Sequence, residues 1–204
     1  MQGLLLGIDR FSTLVGKTFA WSIVALTGVV VYEIVVRYAF RAPTTWAYDV
    51  SYMLYGTLFM MAGAYALSRN GHVRGDFLYR MMPPRRQATL DLALYILFFF
   101  PGIIALMVSG LPFFLDSYAQ NERSMFSPTG PVIWPFKFLI PLAGLLLLLQ
   151  GLVEVVRCWQ CVRTGVWPQR LHDVEELDQK ILAETAAARE RGETPATDRA
   201  RQAR

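Results

Sequence analysis

The sequence predicts an all-α integral membrane protein, a four-helix bundle with both termini in the cytoplasm. Three observations lead there. Four apolar segments, Thr18 to Val36, Tyr48 to Leu67, Leu90 to Leu111 and Ile133 to Val156, suit membrane spans. Each approaches the roughly 20 residues that a helix rising about 1.5 Å per residue needs to cross about 30 Å of hydrocarbon. The 204 residues are 54% hydrophobic and only 18% charged, and the apolar ones fall in blocks instead of an amphipathic scatter. Lys and Arg are also unevenly divided. With the N-terminus inside, Arg10, Lys17, Arg69, Arg74, Arg80, Arg85, Arg86, Arg157, Arg163 and Arg170 lie on the inner side, against Arg37, Arg41, Arg123 and Lys137 outside. Ten against four satisfies the positive-inside rule. Because hydrocarbon offers backbone groups no water, and continuous apolar runs of this length do not suit barrel strands, the spans are helices.

Residues 1–17 read as an N-terminal interfacial segment. Leu4, Leu5, Leu6, Ile8, Phe11, Leu14 and Val15 alternate with Asp9, Arg10 and Lys17, which suits a short helix on the membrane surface; a loosely ordered N-terminus fits the same residues. The membrane domain is 18–158. Its first span is too long for a signal-peptide core, and Glu33 and Arg37 stand where a small-residue cleavage site is expected, so it reads as a retained helix. Glu33 is the deepest acidic residue of that span, and Arg37 follows four residues on, in the favourable order for a same-face ion pair. The same carboxylate could instead serve a proton-coupled exporter, since an ionisable group in a membrane helix is a functional candidate by default.

The second span opens with Trp46 in the headgroup layer and Asp49 in its first turn, where the helix dipole stabilises negative charge. Gly56 and Gly63 are seven residues apart in it; Gly144 and Gly151 repeat that spacing in the fourth span, and Gly102, Ala105 and Ser109 share a face of the third. Small residues let membrane helices approach closely, either within this bundle or against another subunit. Between spans two and three, Val73, Phe77 and Met81 are four apart, with Arg74, Asp76 and Arg80 pointing elsewhere, which predicts a short interfacial helix ended by Pro83 and Pro84. Pro101 and Pro141 fall inside the third and fourth spans among apolar neighbours, where simple kinks are expected. Asp91 lies in a first turn, and Glu154 has Arg157 three residues on as a possible partner.

Residues 159–204 read as a polar cytoplasmic tail. From Leu171 onward there are six basic and eight acidic residues, a net −2 that leaves +6 for the rest of a chain carrying +4 overall. The basic balance therefore follows from topology and points to membrane lipid, not nucleic acid. Val174, Leu177 and Ile181 suit one face of a short helix, and the stretch after Arg189 has a disordered composition.

Catalytic chemistry finds little support. Cys158 and Cys161 form a C-x-x-C pair after the fourth span, but a thiol oxidoreductase of the quinone-linked type needs a second cysteine pair and an oxidising compartment. Only His72 and His172 could complete a zinc site, and Val162 breaks the haem-attachment pattern. Two reduced interfacial thiols is the simpler reading. No nucleophile with a base, no carboxylate pair and no Gly-rich phosphate loop occurs, so neither an enzyme nor a cofactor is expected.

Several fragments in order resemble one family. They are Val36-Arg37-Tyr38-Ala39-Phe40, Trp46-Ala47-Tyr48-Asp49-Val50-Ser51, Gly63-Ala64 and Ala66-Leu67 running into Gly71-His72-Val73-Arg74, Asp76-Phe77-Leu78-Tyr79, Trp134-Pro135-Phe136-Lys137, Ile140-Pro141 and Leu149-Gln150-Gly151. Over about Val30 to Cys158 the chain resembles the small, DctQ-type, four-span membrane subunit of tripartite ATP-independent periplasmic (TRAP) transporters. Asp49 stands where that family often has Glu, which keeps the carboxylate. Glu122-Arg123-Ser124 with Ser127-Pro128-Thr129-Gly130-Pro131 is most similar to the branch loosely labelled for mannitol or chloroaromatic compounds, a poor guide to substrate. The resemblance implies a bacterial inner-membrane complex with a large multi-span permease and a periplasmic substrate-binding protein, driven by an ion gradient to import an organic acid or related solute. It implies a scaffold role here, with Glu33, Arg37, Trp46, Asp49, Gly56, Gly63, His72, Arg74, Gly144 and Gly151 as candidate structural or subunit-interface residues.

Overall fold

The computed structural model describes residues 2–69, 79, 81–128 and 130–171. They are helical apart from connections: α1 (Gln2–Ala20), α2 (Ser22–Ala39), α3 (Ala47–Ser68), α4 (Pro84–Leu94), α5 (Phe100–Ala119) and α6 (Trp134–Thr164). A π-helical stretch, Tyr95–Phe99, joins α4 to α5. The chain divides into two compact units, 1–168 and 169–204, and all six helices belong to the first. Four helical stretches are long and apolar enough to cross a membrane: Gln2–Ala39, Ala47–Ser68, Pro84–Ala119 and Trp134–Thr164.

These helices outrun the apolar segments that announce them, because hydropathy marks the hydrocarbon whereas end signals mark the helix. Pro84 at the first position opens α4, with its fixed φ and a missing N–H that would have had no partner anyway. Pro83 and Pro84 therefore start a helix. Whether they also end a preceding one concerns residues 70–78 and 80, which lie outside the described set, as do His72, Arg74 and everything after Leu171. At the far end, Gly165 takes the left-handed φ of 79° and its N–H returns to Cys161 O at 2.7 Å, closing α6. Arg41 does the same for α2 at a non-glycine position, with φ 54°, and the Ala42 N–H reaches Val36 O at 3.2 Å.

Pro101 is accommodated without a break. It cannot donate a hydrogen bond to the preceding turn, and its ring crowds the carbonyl four residues back. The turn before it is widened, with the Phe100 N–H bonded to Tyr95 O, as in a π-bulge.

The spans form a row more than a closed bundle. Among the described residues, α2 packs on α3, α3 on α6 and α6 on α5, while α2 makes no more than marginal contact with α5 or α6, and α3 with α5. The interior of such a layer is one helix thick, which explains why α6 carries more buried residues than any other helix and α2 none. One side of the α3–α6 seam is filled by α1: Val15 and Phe19 pack on a core of Met61, Ala64, Ala143 and Leu146. α3 and α5 diverge over α6 and leave an apolar groove of about 520 Å³ bordered by Phe59, Ala62, Ala66, Leu106 and Ile140.

Candidate functional site

Polar side chains gather at both ends of the helices, and glycines line the seams between. At the end holding the α2–α3 connection, Glu33 receives Arg37 on one oxygen, from Nε at 2.9 Å and Nη2 at 2.5 Å. Its other oxygen accepts the Thr44 backbone N–H at 3.1 Å and the Thr44 hydroxyl. The same-face spacing thus brings Glu33 and Arg37 together, and Thr44 uses the remaining lone pairs to tie down the connection. Trp46 stacks on Tyr32 with ring centroids 5.9 Å apart, fastening the start of α3 to α2.

Asp49, fully buried in the first turn of α3, accepts hydrogen bonds from the hydroxyls of Ser124 and Ser127. It therefore holds the α5–α6 connection against α3. That connection is further closed by Ser124 N–H to Pro131 O at 2.9 Å, Ile133 N–H to Glu122 O at 3.0 Å, and a Lys137–Glu122 ion pair. The Lys137 ammonium donating to it holds the Glu122 carboxyl below its ordinary range.

The opposite end carries a buried ionic network. Asp9 of α1 and Arg157 and Gln150 of α6 are all fully excluded from solvent. Arg157 donates to both Asp9 oxygens and, through Nη1, to Glu154 at 2.7 Å. Gln150 donates to Asp9 at 2.8 Å and accepts from the Ser12 hydroxyl at 2.9 Å. Charges this deep are costly unless paired, and here the pairing crosses from one helix to another.

The pattern of α1 differs from the expected one. Leu4, Phe11 and Leu14 are exposed, whereas Asp9, Ser12 and Thr13 turn inward. In the sequence Asp9 groups with Arg10 and Lys17 as a surface pattern; in the structure Asp9, with Ser12, instead turns toward Gln150 and Arg157 of α6. Asp9, Ser12, Gln150, Thr44, Ser124 and Ser127 were not singled out as site residues. Gln150, a lone amide after Leu145 to Leu149, was the available signal; the hydroxyls carry none.

The glycine seams are internal. A Cβ at Gly56 would lie 2.6 Å from the Phe136 ring, at Gly144 2.7 Å from Met107 Cγ, and at Gly151 against Phe99. Gly63 faces Leu147 at an ordinary 3.4 Å. Cys158 and Cys161 are buried free thiols, with Cys161 donating weakly to Pro84 O at 3.6 Å. Among the described residues no three His, Cys, Asp or Glu side chains are grouped to hold a metal.

A search of curated proteins finds no match for this chain. A family model described as tripartite ATP-independent periplasmic transporters, DctQ component, matches residues 26–161, well over half of the chain, and covers α3 to α5 with most of α2 and α6. The chain therefore belongs to that family, as a membrane-spanning small permease component of a TRAP transporter.

Proposed function

We propose that this subunit is a static scaffold that packs against a large permease subunit in a bacterial inner membrane, in a complex that uses an ion gradient to drive import of an organic acid or related solute. A periplasmic binding protein delivers the solute. Both termini lie in the cytoplasm, residues 1–17 sit at the inner interface with Leu4, Phe11 and Leu14 toward lipid, and 159–204 form the polar tail. Glu33, Arg37, Trp46 and Asp49 fix the outer connections, and the glycines set helix spacing.

One observation carries the reading. The carboxylates of Asp9, Glu33, Asp49, Asp91 and Glu154, spread over both ends of the helices, are all engaged by side chains of this same chain. A carboxylate that loads and releases ions or protons must change partners; these clamp helices and connections. That favours a scaffold over a self-contained proton-coupled exporter working through Glu33, whose two oxygens are both occupied, and over a thiol oxidoreductase, whose cysteines would have to be reached in the core.

The test is uptake by vesicles reconstituted with the large permease and binding protein, with and without this chain. Uptake should be lost or strongly reduced without it. Undiminished uptake by the large subunit alone would remove the scaffold role, and transport by this chain alone would establish the exporter.

A further inference from the structure

Asp49 pinches the α5–α6 connection on both sides of two residues. One carboxylate oxygen accepts from the Ser124 hydroxyl and the other from the Ser127 hydroxyl. The Ser124 hydroxyl oxygen in turn accepts the Phe126 N–H at 3.3 Å. The neck behind is closed by Ser124 N–H to Pro131 O and by Gly130, where an added Cβ would collide with Ser124 O. Met125 and Phe126 are left as the tip of the pinched turn. Met125 is 94% exposed, the highest value among the large apolar side chains described, and Phe126 is 73% exposed. Spanning helices show apolar residues outward because lipid surrounds them. A connection has no such need, yet a buried carboxylate holds this one in the conformation that exposes the pair.

The tip does not stand off the end of the spans. The Phe126 ring meets Tyr48 edge-on at 5.8 Å and Tyr52 at 6.0 Å, and Tyr52 meets Phe136, the third residue of α6, at 5.9 Å. Tyr52 lies five residues into α3, about 7.5 Å along the helix at 1.5 Å per residue and inside a stretch apolar enough to cross a membrane. Trp46 and Trp134 stand at the starts of α3 and α6, the level at which indole rings anchor to headgroups. The connection therefore folds back beside the spans, to the depth of the first turns below the headgroups. The face of α3 that continues from the tip is a ridge of rings, Tyr48, Tyr52, Tyr55 and Phe59, at spacings of four, three and four. Membrane helices dock through small residues that let backbones approach, so a ridge of this bulk faces lipid. A water-soluble partner does not reach rings at this depth.

We propose that the turn pinched by Asp49 is a lipid anchor: Met125 and Phe126 insert among the upper acyl chains of the leaflet around the start of α3. Arg123, exposed just before the tip, gives the same turn a cation for lipid phosphate. Large apolar side chains are costly to leave in water, and adjacent exposed ones mark an interaction surface. Seated in the leaflet, the tip fixes the depth of α3 and α6 at this end. The contact is independent of the scaffold role and of which side of the membrane the connection faces.

The experiment reconstitutes the full chain, alone and with the large permease, in vesicles of phosphatidylethanolamine and phosphatidylglycerol whose acyl chains are brominated close to the headgroup. A dansyl-bearing amino acid replaces Met125. Separate chains carry it at Tyr55, exposed on the ridge, as the lipid reference, and at Gln120, exposed where α5 ends, as the polar reference. Bromine quenching at position 125 should be at least threefold that at 120 and within twofold of that at 55, with and without the permease. Asp49→Ala should lower quenching at 125 at least twofold, because the released turn no longer holds its tip in the leaflet, and should leave 55 unchanged. Quenching at 125 as low as at 120 would overturn the anchor. Quenching that disappears when the permease is added would overturn it too, making the tip a permease contact. Unchanged quenching at 125 in Asp49→Ala would overturn the pinch as its cause, with the signal at 55 checking that the variant inserts.

Discussion

Arg157 on α6 grips Asp9 on α1 with both terminal nitrogens, and neither side chain reaches solvent. The pair fixes the N-terminal helix along the α3–α6 seam, with Thr13 of α1 3.5 Å from Ser68 of α3. Breaking it from one side leaves a buried charge alone. Arg157→Ala should cost about 3–5 kcal/mol, read as a lowered unfolding midpoint in detergent. Replacing both partners by apolar residues of similar size, Asp9→Leu with Arg157→Met, should recover most of that loss. A double variant as unstable as the single would show that the ion pair contributes net stability.

Glu33 offers a functional discrimination instead of a stability figure. Its carboxylate holds Arg37 and Thr44, so Glu33→Gln should leave the pH profile of uptake by the reconstituted complex unchanged while weakening the α2–α3 connection. A lost pH dependence would make Glu33 a proton carrier. Reversing the charge of either residue alone should lower the yield of assembled complex, and exchanging the two should partly restore it.

The spans were legible because lipid imposes a coarse, one-dimensional rule, and an apolar run such as Leu142 to Leu149 leaves little choice. Glu33 with Arg37 and Glu154 with Arg157 were legible because a helix makes near neighbours along the sequence into spatial neighbours. Asp9 with Arg157, and Asp49 with Ser124 and Ser127, were not. Those partners lie on different helices or in an irregular connection, where no period relates them. The four-helix bundle was an expectation from the number of spans; helix count does not say whether the helices close into a ring or lie in a row, since that depends on which faces carry bulk.

Asp49 controls the α5–α6 connection. Asp49→Ala removes a charged acceptor and leaves two hydroxyls without it, so it should loosen that connection by about 1–3 kcal/mol. Faster hydrogen exchange at the amides of Ser124 and Phe126, with little change in α6, is the expected signature. Ser124→Ala with Ser127→Ala should destabilise by a similar amount, because it strands the buried carboxylate. Unchanged exchange in both variants would mean that the backbone bonds from Ser124 to Pro131 and Ile133 to Glu122 hold the loop alone.

Acid should release the same connection by a second route. Lys137 holds the Glu122 carboxyl below its ordinary value, so the pair contributes fully at pH above the unfolded-state value of about 4.3. The contribution fades as pH falls through the lower folded-state value. Hydrogen exchange near Glu122 should therefore rise below about pH 4, and Lys137→Met should weaken that acid dependence. A rise centred above pH 5 would point to another group.

Glycine positions separate packing contacts from open surface. At Gly151 an added side chain runs into Phe99, whose ring is already held edge-on by Tyr95 at 5.3 Å and Phe100 at 5.7 Å, so it has little room to retreat. Gly151→Val should destabilise by about 1–3 kcal/mol through overpacking. Gly63→Ala meets Leu147 at ordinary contact distance and removes a flexible residue from mid-helix, so it should be neutral or stabilising by up to about 1 kcal/mol. Unfolding midpoints of the isolated subunit read both. The decisive comparison is Gly102→Leu at an exposed position where an added Cβ meets nothing within 4 Å; it should leave the isolated subunit as stable as wild type while lowering the yield of the assembled complex. Equal losses at Gly151 and Gly102 in the isolated chain would mean that α5 is not the end of the row.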